Sequence, residues 1–128
     1  MVLQSSLGRR GSVLIVDDEP EILDLLREIL EDEGYQTWTA ADGPEGIELY
    51  KTSRPDVVLL DVTMPRMDGL RALCEIRRID PCARVAMLTA NGKQTVIKDA
   101  IQAGAVDFIL KPFDITRVLS AVQELLAA

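Results

Sequence analysis

The chain of 128 residues contains no histidine. That absence excludes a Ser-His-Asp or Cys-His nucleophile, a histidine-ligated zinc, and a phosphohistidine made by the chain itself. Cysteine is limited to Cys74 and Cys82. Their spacing fits neither a metal site nor a disulfide framework, so they are expected to be small apolar fillers in a reducing cytoplasm. No apolar run approaches the ~20 residues needed to cross a bilayer. There is no GxGxxG and no P-loop, which leaves nucleotide or flavin binding with little support. An excess of cations is missing too. The net charge of −7 repels phosphate backbones and anionic lipid, so neither a nucleic acid nor a membrane partner is expected.

What the chain does have is ordinary for one globular domain: 48% hydrophobic and 27% charged residues. Residues 1–11 are polar and carry Arg9-Arg10. A twin-arginine export signal would continue into a long apolar stretch, but residues 13–16 run straight into Asp17-Asp18-Glu19. The segment is therefore read as a disordered arm or an expression remnant, and residues 12–128 as the domain.

Four short apolar runs each end in a residue that can handle metal or phosphate. Residues 13–16 lead to Asp17-Asp18, residues 57–60 to Asp61, residues 85–88 to Thr89, and residues 108–110 to Lys111. A fifth run, residues 35–40, has polar residues interleaved, as at a sheet edge. Between the runs the pattern is helical. Pro20 suits a first helical turn, and Ile22, Leu25, Leu26, Ile29 and Leu30 follow at helical spacing before Gly34 stops the helix. Asp42-Gly43-Pro44 opens a second helix to about residue 52, a third covers residues 69–79, and a fourth covers residues 93–103. The fourth is expected to turn Ile97, Ala100 and Ile101 inward and to stop at Gly104. The last carries the stripe Ile115, Val118, Leu119, Val122, Leu125 and Leu126. Five strand–helix units with short connections imply an α/β domain, a parallel sheet covered on both faces. Right-handed crossovers then bring the C-terminal ends of all five strands, and with them the polar residues, to one edge.

Each of those residues has a bland reading alone. Asp17, Asp18 and Glu19 could favour the dipole of the helix they precede. Asp61 could be a loop acid, Thr89 a strand-end residue, Lys111 a solvated cation and Phe108 a core aromatic. Together they are harder to dismiss, because crowded carboxylates repel one another unless a cation neutralises them. Oxygen ligands with room for water suit Mg²⁺. Lys111 is then a point charge that can pair with Asp61 and clamp a phosphoryl oxygen.

The chain resembles the receiver domain of the bacterial two-component response-regulator family. The resemblance rests on Asp17-Asp18, on residues 61–69 (Asp-Val-Thr-Met-Pro-Arg-Met-Asp-Gly), on Thr89-Ala90 and on Lys111-Pro112-Phe113, and spans residues 12–126. It implies a flavodoxin-like (βα)5 fold with strand order 2-1-3-4-5. Asp61 would be the phosphoacceptor, charged by a partner histidine kinase or histidine phosphotransfer protein. Asp17, Asp18, Asp61 and the backbone carbonyl of Thr63 would hold Mg²⁺. Lys111 and Thr89 would hold the phosphoryl, and the bond before Pro112 is often cis in the family. The resemblance further implies a switch in which Thr89 moves toward the phosphoryl, Phe108 turns inward, and the surface of helix 4, strand 5 and helix 5 changes. Thr63 and Asn91, each two residues beyond a site residue, would tune the phosphoryl lifetime. Such a chain is cytoplasmic, passes its signal to a downstream protein target or output domain, and catalyses only its own phosphorylation and dephosphorylation. Two other classes compete: a Mg²⁺-dependent aspartyl phosphatase and a receiver that is no longer phosphorylated. The first usually has a second Asp where this chain has Thr63, and the intact set of acids, Thr89 and Lys111 speaks against the second.

Overall fold

A computed structural model describes residues 10–90 and 92–128. Asn91, and nearly all of the expected N-terminal arm, lie outside the described residues. The strands are β1 (Gly11–Val16), β2 (Tyr35–Ala40), β3 (Val57–Asp61), β4 (Val85–Thr89) and β5 (Asp107–Leu110). The helices are α1 (Pro20–Asp32), α2 (Gly43–Ser53), α3 (Gly69–Ile79), α4 (Gln94–Gln102) and α5 (Ile115–Ala127). The strands form one parallel sheet in the order β2-β1-β3-β4-β5.

Local chemistry sets where the helices begin and end. Pro20 opens α1. Asp42 caps α2 by accepting a hydrogen bond from the Glu45 amide at 2.9 Å, while the Glu45 side chain accepts from the Ala41 amide, one residue before the cap, at 2.8 Å. Asp68 and Asp114 cap α3 and α5 through the amides of Arg71 and Arg117. Gly34 and Gly104 leave α1 and α4 at φ of 93° and 107°, a region that glycine enters without strain.

Side chains alternate across the sheet, so each strand feeds two cores. Val13, Ile15, Val57, Leu59, Leu88 and Ile109 pack under α1 and α5. Leu14, Val16, Val58, Leu60 and Met87 pack under α2, α3 and α4. Each fully buried aliphatic side chain contributes roughly 1.5–3 kcal/mol relative to an exposed one. The cover is uneven. Ala100 is the buried residue of α4, and Ile101, expected inward, is 60% exposed. Ile115 opens the α5 stripe but is 56% exposed, and Leu25 on α1 is 45% exposed. The cysteines also depart from expectation. Cys74 and Cys82 are both exposed, because Cys74 points away from the α3 face that buries Ala72, Leu73 and Ile76, and Cys82 sits in the turn before β4.

The outer strand β5 has an unusual finish. Arg117 on α5 forks onto both carboxylate oxygens of Asp107 at 3.2 Å and also donates to the Phe108 carbonyl. Asp107 in turn accepts from the Phe108 amide at 2.7 Å. Both backbone polar groups of Phe108 are thereby bonded to side chains.

Candidate functional site

From β1 the chain passes out to β2 and then crosses back to β3, so strand order reverses between β1 and β3. In open α/β sheets the crevice at such a reversal is where ligands bind. The register aligns Val16 with Leu60, Asp61 with Leu88, and Thr89 with Leu110. Asp17, Asp61, Thr89 and Lys111 therefore end four neighbouring strands at one edge. An open cleft of about 500 Å³ lies there, lined by Asp18, Glu19, Asp61, Thr63, Ala90, Gly92 and Lys111.

Asp17 and Asp61 are buried and Asp18 is exposed, and the three offer carboxylate oxygens that all lie within 4.8 Å of one another. The Lys111 ammonium reaches into this group. It meets Asp17 Oδ2 at 2.8 Å and Glu19 Oε1 at 2.9 Å, and stands 3.5 Å from Asp61 Oδ1. The expected partner Asp61 is thus the most distant of the three. Asp17 Oδ1 accepts from the Glu19 amide at 2.9 Å. Asp17 Oδ2 meets the ammonium off the axis of a hydrogen bond and, among the described residues, is the buried side-chain oxygen that lacks one.

Titration follows this geometry. Burial, reinforced by the Asp17 and Asp18 charges, pushes Asp61 up to about 7 against the pull of Lys111. Burial also raises Asp17, partly opposed by Lys111 and the Glu19 amide. For Lys111, burial acts to lower the value, but the Asp17 and Glu19 carboxylates beside the ammonium and the charge of Asp61 win, and it is raised. One ammonium therefore does not neutralise the cluster. Three hard oxygen ligands, one buried oxygen without a hydrogen bond, and an open side toward water are the donor set that Mg²⁺ takes. The residues fit that ion.

Thr63 lines the cleft and is exposed. Thr89 is 1% exposed and does not line it. Strand alternation explains this: Thr89 shares the parity of Val85 and Met87, whose face packs under α2–α4, whereas Asp61 shares that of Val57 and Leu59, whose face packs under α1 and α5. Phe108 is half-buried, pairs in register with Met87, and packs against the same core. Lys111-Pro112 is cis.

Two residues with a part in the site were not singled out for it. Glu19, read as a helix-end acid, makes no side-chain cap on α1 and instead bonds Lys111 across 92 residues of chain. Its signal was adjacency to Asp17-Asp18. Gly69 closes the motif of residues 61–69. A Cβ there would lie 2.0 Å from the Asp61 carbonyl oxygen, and its amide donates to Val62 O at 2.7 Å, so α3 docks directly on the peptide that carries Asp61.

Residues 13–123 match the family model of the response regulator receiver domain. The chain is 46% identical over 115 residues to the chemotaxis protein CheY of Bacillus subtilis, covering 89% of this chain and 96% of that protein. It is 41% identical over 114 residues to the sporulation initiation phosphotransferase F of the same organism, covering 89% and 92%. A chain of the CheX–CheY–BeF3–Mg²⁺ complex of Borrelia burgdorferi superposes with a TM-score of 0.88 at 42% identity, covering 93% of this chain and 91% of that one.

Proposed function

This chain belongs to the response regulator receiver domain family, and from that premise we propose that Asp61 is its phosphoacceptor. Receiver domains of CheY-like response regulators take a phosphoryl group on an aspartate and act as signalling switches. The observation that carries the assignment is the position of the Asp61 carboxylate. It sits at the strand-order reversal, on the cleft wall, beside Asp17, Asp18 and Lys111.

Asp17, Asp18, Asp61 and the backbone carbonyl of Thr63 would hold Mg²⁺, which when bound opposes the negative charge of the phosphoryl oxygens. A carboxylate oxygen of Asp61 attacks phosphorus in line as the P–N bond of a partner's phosphohistidine breaks. Lys111 turns its ammonium to a phosphoryl oxygen. Thr89 reaches from the adjacent strand end to a second, leaving space toward Met87 and Phe108 on its own face of the sheet. Phe108 has no hydroxyl, so its inward turn is driven by packing alone. The exposed Ile101, Val106 and Leu110 lie on the α4–β5 surface that this turn alters. Such a two-state equilibrium needs only a local charge event to bias it. Water attacking the same phosphorus resets the switch, with Thr63 and Asn91 setting its access. The donor is a histidine kinase or a histidine phosphotransfer protein, and the recipient is a downstream protein or output domain. Among the described residues no helix is long and apolar enough to cross a membrane, and we place the chain in the cytoplasm.

The test is to treat the protein with a small phosphodonor with and without Mg²⁺ and weigh it intact. The expected result is one acid-stable, base-labile phosphoryl group that requires Mg²⁺ and is lost in Asp61→Asn. A phosphoryl group on serine or threonine, or none, overturns the reading. Multiple turnover of an external phosphoester would favour a phosphatase instead.

A further inference from the structure

The cation on which the proposed chemistry depends is already engaged. Of the two carboxylates nearest Lys111 Nζ, Asp17 is fully buried, while Glu19 keeps 55% of its side chain in solvent on the cleft wall. The Glu19 backbone has a structural duty, since its amide bonds Asp17. Its side chain caps no helix and, as an exposed ion-pair partner, contributes little to stability. An exposed carboxylate that gives the fold so little, yet holds the one ammonium in the cleft 2.9 Å away, calls for a role in the chemistry.

We propose that Glu19 determines which phosphodonors the cleft accepts, disfavouring small dianionic donors by tethering Lys111 away from Asp61 and by adding a negative charge at the mouth. The inference rests on Asp61 being the phosphoacceptor. The tether acts because Lys111 has three N–H donors and must move one from Glu19 to a phosphoryl oxygen, exchanging one charge-assisted bond for another. The charge acts during approach. A cleft walled by protein focuses the field of its lining carboxylates, and the cost of entry rises with the charge the donor carries. Acetyl phosphate enters as a dianion: the Asp61 oxygen–phosphorus bond forms, the bond from phosphorus to the acetyl oxygen breaks, and acetate leaves with the electron pair. Phosphoramidate enters with one fewer negative charge, and ammonia leaves as the P–N bond breaks. Glu19 thus insulates the switch from small acyl phosphates.

The experiment compares Glu19→Gln and Glu19→Ala with wild type, each with Mg²⁺, using acetyl phosphate and phosphoramidate and following intact mass with time. The expected gain with acetyl phosphate is about three- to ten-fold, with less than half that gain for phosphoramidate. The difference should shrink as salt is raised to about 0.5 M. A metal-free readout accompanies it: Lys111 should be labelled faster by an amine-acylating reagent in both variants than in wild type. An equal change with the two donors, a slower reaction with both, or unchanged Lys111 labelling overturns the proposal. Wild type that takes no phosphoryl from either donor would instead overturn the assignment of Asp61, so the two failures are distinguishable.

Discussion

The two ends of the sheet use the same residue types to opposite effect. At the N-terminal ends of the strands, Ser12 donates through its amide and hydroxyl to Asp56, whose own amide donates back to Ser12 Oγ. Tyr50 donates to Asp80 at 2.7 Å, Arg54 stands 3.5 Å from Asp80, and Arg77 and Arg84 donate to the carbonyls of Ala83 and Leu126. The Tyr50 bond, joined by one from the Cys82 amide, holds the Asp80 carboxyl below its ordinary range, and burial with the Asp80 bond pushes the Tyr50 phenol up. At the C-terminal ends the carboxyls of Asp17 and Asp61 move the other way. One end has its charges matched by protein groups; the other has more carboxylates than one ammonium serves. The first closes the fold, and the second leaves a site whose remaining partner must come from outside.

The largest expected effect comes from forcing the two roles together at one residue. Gly69→Ala places a methyl group against backbone atoms of Asp61 and Val62, none of which can turn aside. It should destabilise the protein by about 3 kcal/mol or more and slow phosphorylation as well. A urea midpoint within error of wild type would remove Gly69 from the site.

A smaller effect, of opposite sign, is expected at Asp61. Its raised value means that the folded state holds a proton to about pH 7, whereas the unfolded chain releases it near 3.8. Without metal, Asp61 therefore costs nothing below that lower value, and stability falls as pH rises from about 4 to 7. Asp61→Asn should remove that slope, matching wild type near pH 4 and exceeding it at pH 7 by on the order of 2–4 kcal/mol. Mg²⁺ at pH 7 should stabilise wild type more than the variant. Urea titrations at the two pH values check both statements, and a variant no more stable than wild type at pH 7 would contradict the account of a charge-crowded edge.

Tyr50→Phe gives the smallest effect. It removes one hydrogen bond at the settled end and should cost about 1 kcal/mol, leaving the rate and extent of phosphorylation unchanged. A change in phosphorylation would mean that the two ends are coupled.

Much of this was legible in the sequence because it depends on period and punctuation. The apolar runs, Pro20, Asp42 and Gly104 located the elements, and the interleaved polar residues of β2 marked it correctly as an edge. Depth of burial was not legible. Ile101 and Ile115 fit a helical stripe, but spacing does not say how deeply a helix sits, and both are exposed. Nor does spacing show which of several nearby acids an ammonium prefers: Lys111 meets Asp17 and Glu19 more closely than Asp61. Thr89 ends its strand at the right edge, but alternation turns it to the other face from Asp61. That distinction is a matter of counting along the strand, and the sequence contained it.

The fork of Arg117 on Asp107 has a consequence for how copies of this chain treat one another in a crowded solution. An outermost strand offers spare amides and carbonyls that a foreign strand can zip onto, the first step toward aggregates. On β5 the amide and the carbonyl of Phe108 are already taken, by Asp107 and by Arg117. A visiting strand would have to break a charged clamp before it gained its first bond there, so the edge is guarded at Phe108 without giving up that side chain.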